Sequence, residues 1–141
     1  MRRVNALALG VMCNRLSMDW TDISDFKGID LNDSFVLSWN QTSDKVEINL
    51  EASIWPQSAY YIKPKSGEHT CYRRATLTIF GAVEVTGLLP MDAVKPTVDP
   101  DGTEDYGNID SLTKNSNGYS IVGEFGLVHI SGGKLDFKIN T

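Results

Sequence analysis

Within "SGEHTCYRRATL", Ser66 to Leu77, the side chains of His69, Cys71, Tyr72, Arg73 and Arg74 fall close together. A thiol with an imidazole two residues away and guanidiniums beside it is raw material for a nucleophilic site. Arg73 would lower the thiol pKa, and His69 would take its proton. The phosphatase arrangement, however, needs a histidine directly before the cysteine and an arginine six residues after it. Thr70 and Leu77 occupy those places. A phosphate cradle also needs a loop opening into a helix N-terminus, whereas an extended pattern follows Cys71. The chain has no GxSxG elbow, HExxH or phosphate-binding glycine loop, and no orienter or oxyanion donor is marked near Cys71. Cys71 therefore reads as a small strand residue. No catalytic residue and no cofactor is assigned, and the balance leans away from an enzyme.

A second cluster could do metal chemistry. "DPDGTEDYGNID" places Asp99, Asp101, Glu104, Asp105 and Asp110 near one another, all hard oxygen ligands, with Asp99, Asp101 and Asp105 the calcium candidates. The spacing departs from an EF-hand: the glycine comes too early, Asp110 replaces the bidentate glutamate, and no helices flank the loop. An ordinary turn around Asp101-Gly102 is the better reading, and no metal is assigned. His69 and His129 are the only histidines. Zinc lacks ligands, and His129 in "LVHI" is expected to be a packed strand residue.

The elements that must position these side chains are strands. In "KVEINLEASIW", Val46, Ile48, Leu50, Ala52 and Ile54 alternate with polar residues, which predicts a half-buried antiparallel strand. "SFVLSWN" puts Phe35, Leu37 and Trp39 on one side, "RATLTIF" aligns Ala75, Leu77 and Ile79, and "AVEVTGLL" continues with Val83 and Val85. "KLDFKIN" aligns Leu135, Phe137 and Ile139. Val83 and Phe137 thus join the expected core. Gln41 to Asp44 reads as a hairpin loop, Asn117-Gly118 as a type I′ turn, and Gly132-Gly133 as a turn before the last strand. Gly81, Gly123 and Gly126 fall inside strand patterns and suggest bulges. No crossover helix intervenes. The expectation is an all-β fold, an antiparallel sandwich or partly closed barrel of seven to eight strands.

The domain layout follows from length and composition. At 141 residues, with 41% hydrophobic and 22% charged residues, the chain reads as one globular domain over 25–141 with a docked N-terminal extension over 1–24. "MRRVNALALGVMC" has a basic start and an apolar run, but Asn5 interrupts it, no A-x-A-like site follows, and it is too short to span a bilayer. A short helix is expected there; alternatively, Met18 is the natural start. Two cysteines, Cys13 and Cys71, form no disulfide framework, which suits a cytoplasmic location. The net charge of −5 argues against a nucleic-acid partner, and no membrane partner is expected.

Two long connections break the strand pattern. Residues 56–74 are rich in Tyr, Pro, Lys and Arg, and residues 89–110 are acidic with prolines. Loops this long are commonly functional or mobile, and their opposite charges suggest that they pack together, with Arg73 or Arg74 paired to Asp99, Asp101, Asp105 or Asp110.

"DLNDSFVLSW", "PKSGEHTCYRRATLTIFGAVEV", and "DPDGTEDYGNIDSL" followed by "GEFGLVHI" resemble a family of short uncharacterised bacterial β-rich proteins, from about Asp30 to Ile139. That family pattern has a histidine before the aspartate of the first motif, where this chain has Asn32 before Asp33. The strand-loop-strand layout also resembles small immunity proteins that neutralise bacterial toxins. Neither resemblance brings an assigned activity.

The leading expectation is an interaction module, immunity-like, that binds a protein or small molecule through loops 56–74 and 89–110. Its candidate contacts are Asp33, Tyr60, Tyr61, His69, Tyr72, Arg73, Arg74, Asp105, Tyr106 and Asn108; tyrosine and arginine give contact area and directed hydrogen bonds. One alternative is an enzyme or binder of a small anionic ligand held by Arg73 or Arg74 between the loops. The other is a structural protein that self-associates as a homo-oligomer.

Overall fold

A computed structural model of the chain describes residues 17–64 and 70–140. The fold is all-β. Its strands are β1 (Met18–Asp19), β2 (Ile29–Gln41), β3 (Lys45–Ile54), β4 (Cys71–Thr86), β5 (Thr97–Val98), β6 (Glu104–Asp105), β7 (Ile109–Asn115), β8 (Gly118–Gly123) and β9 (Gly126–Ile139). Seven of them form one antiparallel sheet in the order β1-β7-β8-β9-β4-β3-β2, and β5 and β6 form a separate small hairpin. The sheet curls until β2 lies beside the start of β7 without closing into a barrel. Isolated hydrogen bonds span that seam. The Val36 N–H donates to the Gly107 carbonyl and the Tyr106 N–H to the Val36 carbonyl, each at 2.8 Å.

Alternation of apolar and polar residues fills the concave side. Val46, Ile48, Leu50, Ala52 and Ile54 of β3 face Ala75, Leu77 and Ile79 of β4, with Leu135 and Ile139 of β9 beside them, all buried. Leu112, Ile121, Phe125 and Val128 complete the core from the other half of the sheet. No helix among the described residues is long and apolar enough to cross a membrane. Residues 20–26 make two single 3₁₀ turns, Trp20–Asp22 and Ser24–Phe26, whose Trp20 and Phe26 are buried. The short helix expected in "MRRVNALALGVMC" lies outside the described residues.

Several local expectations are corrected. Val83 is 85% exposed, because the β4–β9 register shifts between Ala82 and Glu84 and turns the end of β4 outward; Phe137 is only half-buried. In the "SFVLSWN" part of β2 the inward apolar residues are Val36 and Trp39, with Phe35 exposed and Leu37 half-buried, since a bulge between Val36 and Ser38 reverses the alternation. The β7–β8 turn is Ser116–Asn117, one residue earlier than expected. Asn115 Oδ1 accepts the amides of Asn117 and Gly118, and neither Ser116 nor Asn117 has positive φ, so the turn is not type I′. Gly132 and Gly133 lie inside the continuous β9, while Gly123 and Gly126 flank the β8–β9 turn. Finally, Tyr72, Arg73 and Arg74 belong to strand β4, paired with Ser53, Ala52 and Glu51, and not to a loop.

Candidate functional site

Strand β2 organises the surface. Between the Asp30–Ser53 and Phe35–Glu51 pairs, β2 carries four residues and β3 only Ala52, so the chain bulges outward. Ser34 holds the bulge. Its buried hydroxyl donates to the Asp30 carbonyl at 2.6 Å and accepts the Ser53 N–H at 3.0 Å. The bulge sends Asn32 across the seam, where its amide donates to the Ile109 and Asp110 carbonyls at 3.0 and 3.2 Å. Asn108 answers with a 2.6 Å bond to the Asn32 carbonyl. Asp33 turns the other way, and its Oδ2 accepts the Tyr72 hydroxyl at 3.3 Å. Burial first, and then the Asp33 charge and hydrogen bond, raise the Tyr72 pKa above its ordinary 10.0.

The second bulge, at Leu37, leaves Phe35 on the convex face, where its ring lies 5.6 Å from that of Tyr72. Phe35 and Tyr72 floor a groove of about 580 Å³, with Glu51 and Arg74 of the sheet on one side. The β5–β6 hairpin forms the other side and brings Asp99, Asp101, Glu104 and Asp105. Thr103 shapes the hairpin tip: its hydroxyl donates to Asp101 Oδ1 at 2.7 Å and lies 3.3 Å from Asp99 Oδ2, while its amide donates to Asp101 Oδ1 at 3.0 Å. The Thr103 hydroxyl first, and then its amide, hold the Asp101 carboxyl below its usual range, so it stays ionised. Asp105 Oδ1 accepts the Gly107 amide.

Trp39 anchors the segment that carries this hairpin at both ends. Its indole N–H donates to the Leu89 carbonyl at 2.7 Å, and its ring meets Tyr106 edge-on at 4.9 Å and Phe125 at 5.8 Å. Tyr106 is therefore half-buried in the anchor and does not stand out as a contact residue. Asn108 likewise closes the seam.

The structure brings Tyr72, Arg74 and Asp105 into one groove, with Asp33 bonded behind Tyr72. It separates the others. Tyr60 stands exposed beside Lys27 and Asp136, Tyr61 packs on the core, and Arg73 faces a smaller hollow with Ile62, Pro64 and Cys71. His69 lies outside the described residues. The expected ion pair between Arg73 or Arg74 and the acidic loop does not form: among the described residues the one ion pair is Lys45–Glu47 at 3.2 Å. Arg74 shares the groove with those carboxylates without bonding one. Nor do the calcium candidates Asp99, Asp101 and Asp105 make a metal cage; no group of three His, Cys, Asp or Glu among the described residues is arranged to hold an ion.

Two features were missed in the sequence. Phe35 and Glu51 line the groove, but the plain alternation of β2 placed Phe35 in the core. His129, expected to be packed, is exposed on β9 and bonds through Nδ1 to Ser120 Oγ at 3.1 Å across the β8–β9 register. The pattern "GLVHI" carried the signal, because Val128 and Ile130 on either side of His129 are the inward residues.

No family model, curated protein or solved structure matches this chain.

Proposed function

We propose that the chain is a binding module whose groove between the convex sheet face and the β5–β6 hairpin takes a basic segment of a protein partner. One observation carries the reading: an aromatic floor of Phe35 and Tyr72 lies beneath five carboxylates, Glu51, Asp99, Asp101, Glu104 and Asp105, opposed by the single guanidinium of Arg74. A lysine or arginine side chain gains from that negative field, and its neighbour on the segment gains contact with the rings. Arg74 supplies a donor fork for a carbonyl or acidic group of the partner, which fixes register. The anionic-ligand alternative fits this groove less well, because an anion near Arg74 meets the surrounding acids. An immunity-like role falls under the same reading, with a toxin as the partner.

The test is fluorescence anisotropy with short labelled peptides of equal length, one basic, one neutral and one acidic, each with one leucine, at low and high salt. The basic peptide should bind, weaken as salt rises, and weaken on Glu51→Gln and Glu104→Gln. Each exposed charge contributes about 0.2–1 kcal/mol, or roughly 1.4- to 5-fold in affinity. Equal binding of the acidic peptide, or no loss in the doubly substituted protein, overturns the reading.

A further inference from the structure

A separate cleft lies where the N-terminal 3₁₀ turns meet the turn after β3. The Trp55 N–H donates to the Gly28 carbonyl at 2.8 Å, and the Ser58 N–H closes the turn onto the Trp55 carbonyl at 2.9 Å. Gly28 has φ +75°, and a Cβ there would sit 2.5 Å from the Ser58 nitrogen, so the two turns touch backbone to backbone and only glycine fits. Between them opens a cleft of about 570 Å³, inside the roughly 300–1,000 Å³ of ordinary ligand pockets. Its base is apolar: Trp20 and Phe26, set edge-on at 6.4 Å, are both nearly buried. Its rim is not. Trp55 stands there 49% exposed, with no aromatic partner among the described residues. Beside it lie Asp22, Asp30, Gln57 and Lys27.

We infer that this cleft binds a neutral oligosaccharide, with Trp55 as the stacking platform. A pyranose ring has a face of C–H groups and an edge of hydroxyls, each both donor and acceptor. The Gly28 bond fixes the Trp55 backbone at the rim, and its exposed indole presents a flat apolar surface of matching size. Asp22 and Gln57 make no side-chain hydrogen bond to another described residue, and their planar groups suit adjacent sugar hydroxyls. Asp30 is half committed, since its Oδ1 accepts the Asn32 amide. Charge selects against the other ligands an exposed indole attracts. Lys27 offsets part of the field of the two carboxylates, so an organic cation gains little there, and a purely apolar ligand would desolvate those carboxylates without replacing their hydrogen bonds. This site does not depend on the acidic groove.

The experiment follows the indole N–H resonances of the full chain by two-dimensional NMR during titration with maltotriose, cellotriose or triacetylchitotriose, and with tetramethylammonium as the cation probe. At least one sugar should shift the Trp55 resonance saturably, with a dissociation constant on the order of 0.1–1 mM. Trp55→Ala should weaken that sugar by at least about tenfold, about 1.4 kcal/mol, at an unchanged far-ultraviolet spectrum. Trp55→Phe should retain part of the affinity, and Asp22→Asn should weaken it while leaving the indole dispersion intact. The proposal is overturned if no sugar shifts Trp55 by roughly 10 mM, if Trp55→Ala binds as well as the parent, or if only tetramethylammonium binds.

Discussion

Replacing Trp39 by phenylalanine tests whether one side chain holds the groove's outer wall. The substitution removes the indole N–H that donates to the Leu89 carbonyl at 2.7 Å, a bond whose net contribution is about 0.5–1.5 kcal/mol. Trp39 is 5% exposed, and its smaller replacement gives up roughly 40–50 Å² of buried apolar surface, about 1 kcal/mol. Partial loss of the edge-on contacts with Tyr106 and Phe125 adds a few tenths of a kcal/mol. The sum is about 2–3 kcal/mol. In a urea titration with an m-value near 2 kcal/mol per molar, the midpoint should fall by about 1–1.5 M at constant m. Hydrogen exchange gives the local half of the test. The Leu89 amide bonds to Phe125 and the Tyr106 amide to Val36, and both should exchange faster in the variant, together with the β5–β6 hairpin between them. A midpoint shift below about 0.3 M with unchanged exchange at Leu89 and Tyr106 would refute the idea that Trp39 ties down this segment.

Ser34→Ala should destabilise the fold by about 1–3 kcal/mol in the same titration, because it leaves the buried Ser53 N–H without its acceptor; a loss under half of that range would show that the bulge closes without the hydroxyl. Tyr72 should ionise above 10.0 when followed by absorbance near 295 nm (Tyr72→Phe identifying the signal), and Asp33→Asn should move that ionisation back down. The sign for stability follows: a raised folded pKa means that the Tyr72 contribution is complete below the unfolded value near 10 and is lost as pH climbs from there through the folded pKa. The parent should therefore lose stability in that alkaline window, and Tyr72→Phe should lose less.

Strand identity was legible because period-two alternation survives wherever a strand pairs without slipping. Strand β3 pairs residue for residue with β4 from Lys45–Phe80 to Ile54–Cys71, and every inward residue there was readable. Alternation fails where the register shifts. In β2 the two bulges reverse the phase twice, and in β4 the shift after Ala82 exposes Val83. A bulge depends on the partner strand, which a local pattern does not contain. Turns failed for a related reason. Gly132-Gly133 has the composition of a turn and both glycines take positive φ, +73° and +88°, yet β4 pairs on either side of them, at Lys134–Phe80 and Ser131–Glu84, so the strand kinks there without reversing.

The groove was half legible on the same grounds. Composition marked Tyr72, Arg74 and Asp105, and opposite charge suggested that residues 56–74 and 89–110 approach each other. The expected result of that approach was an ion pair, but strand pairing sets the distance instead. Arg74 stands opposite Glu51 in the β3–β4 ladder, its position fixed by backbone bonds, while the hairpin is hung from Trp39 and Val36. Neither support is adjusted to bring guanidinium and carboxylate into contact, and an exposed pair would contribute too little, under about 1 kcal/mol, to draw them together. The space left between them is the groove. The two bulges of β2 thus have one consequence: the first turns Asp33 under Tyr72, and the second leaves Phe35 outside, so the sheet presents an aromatic floor where uninterrupted alternation would have buried it.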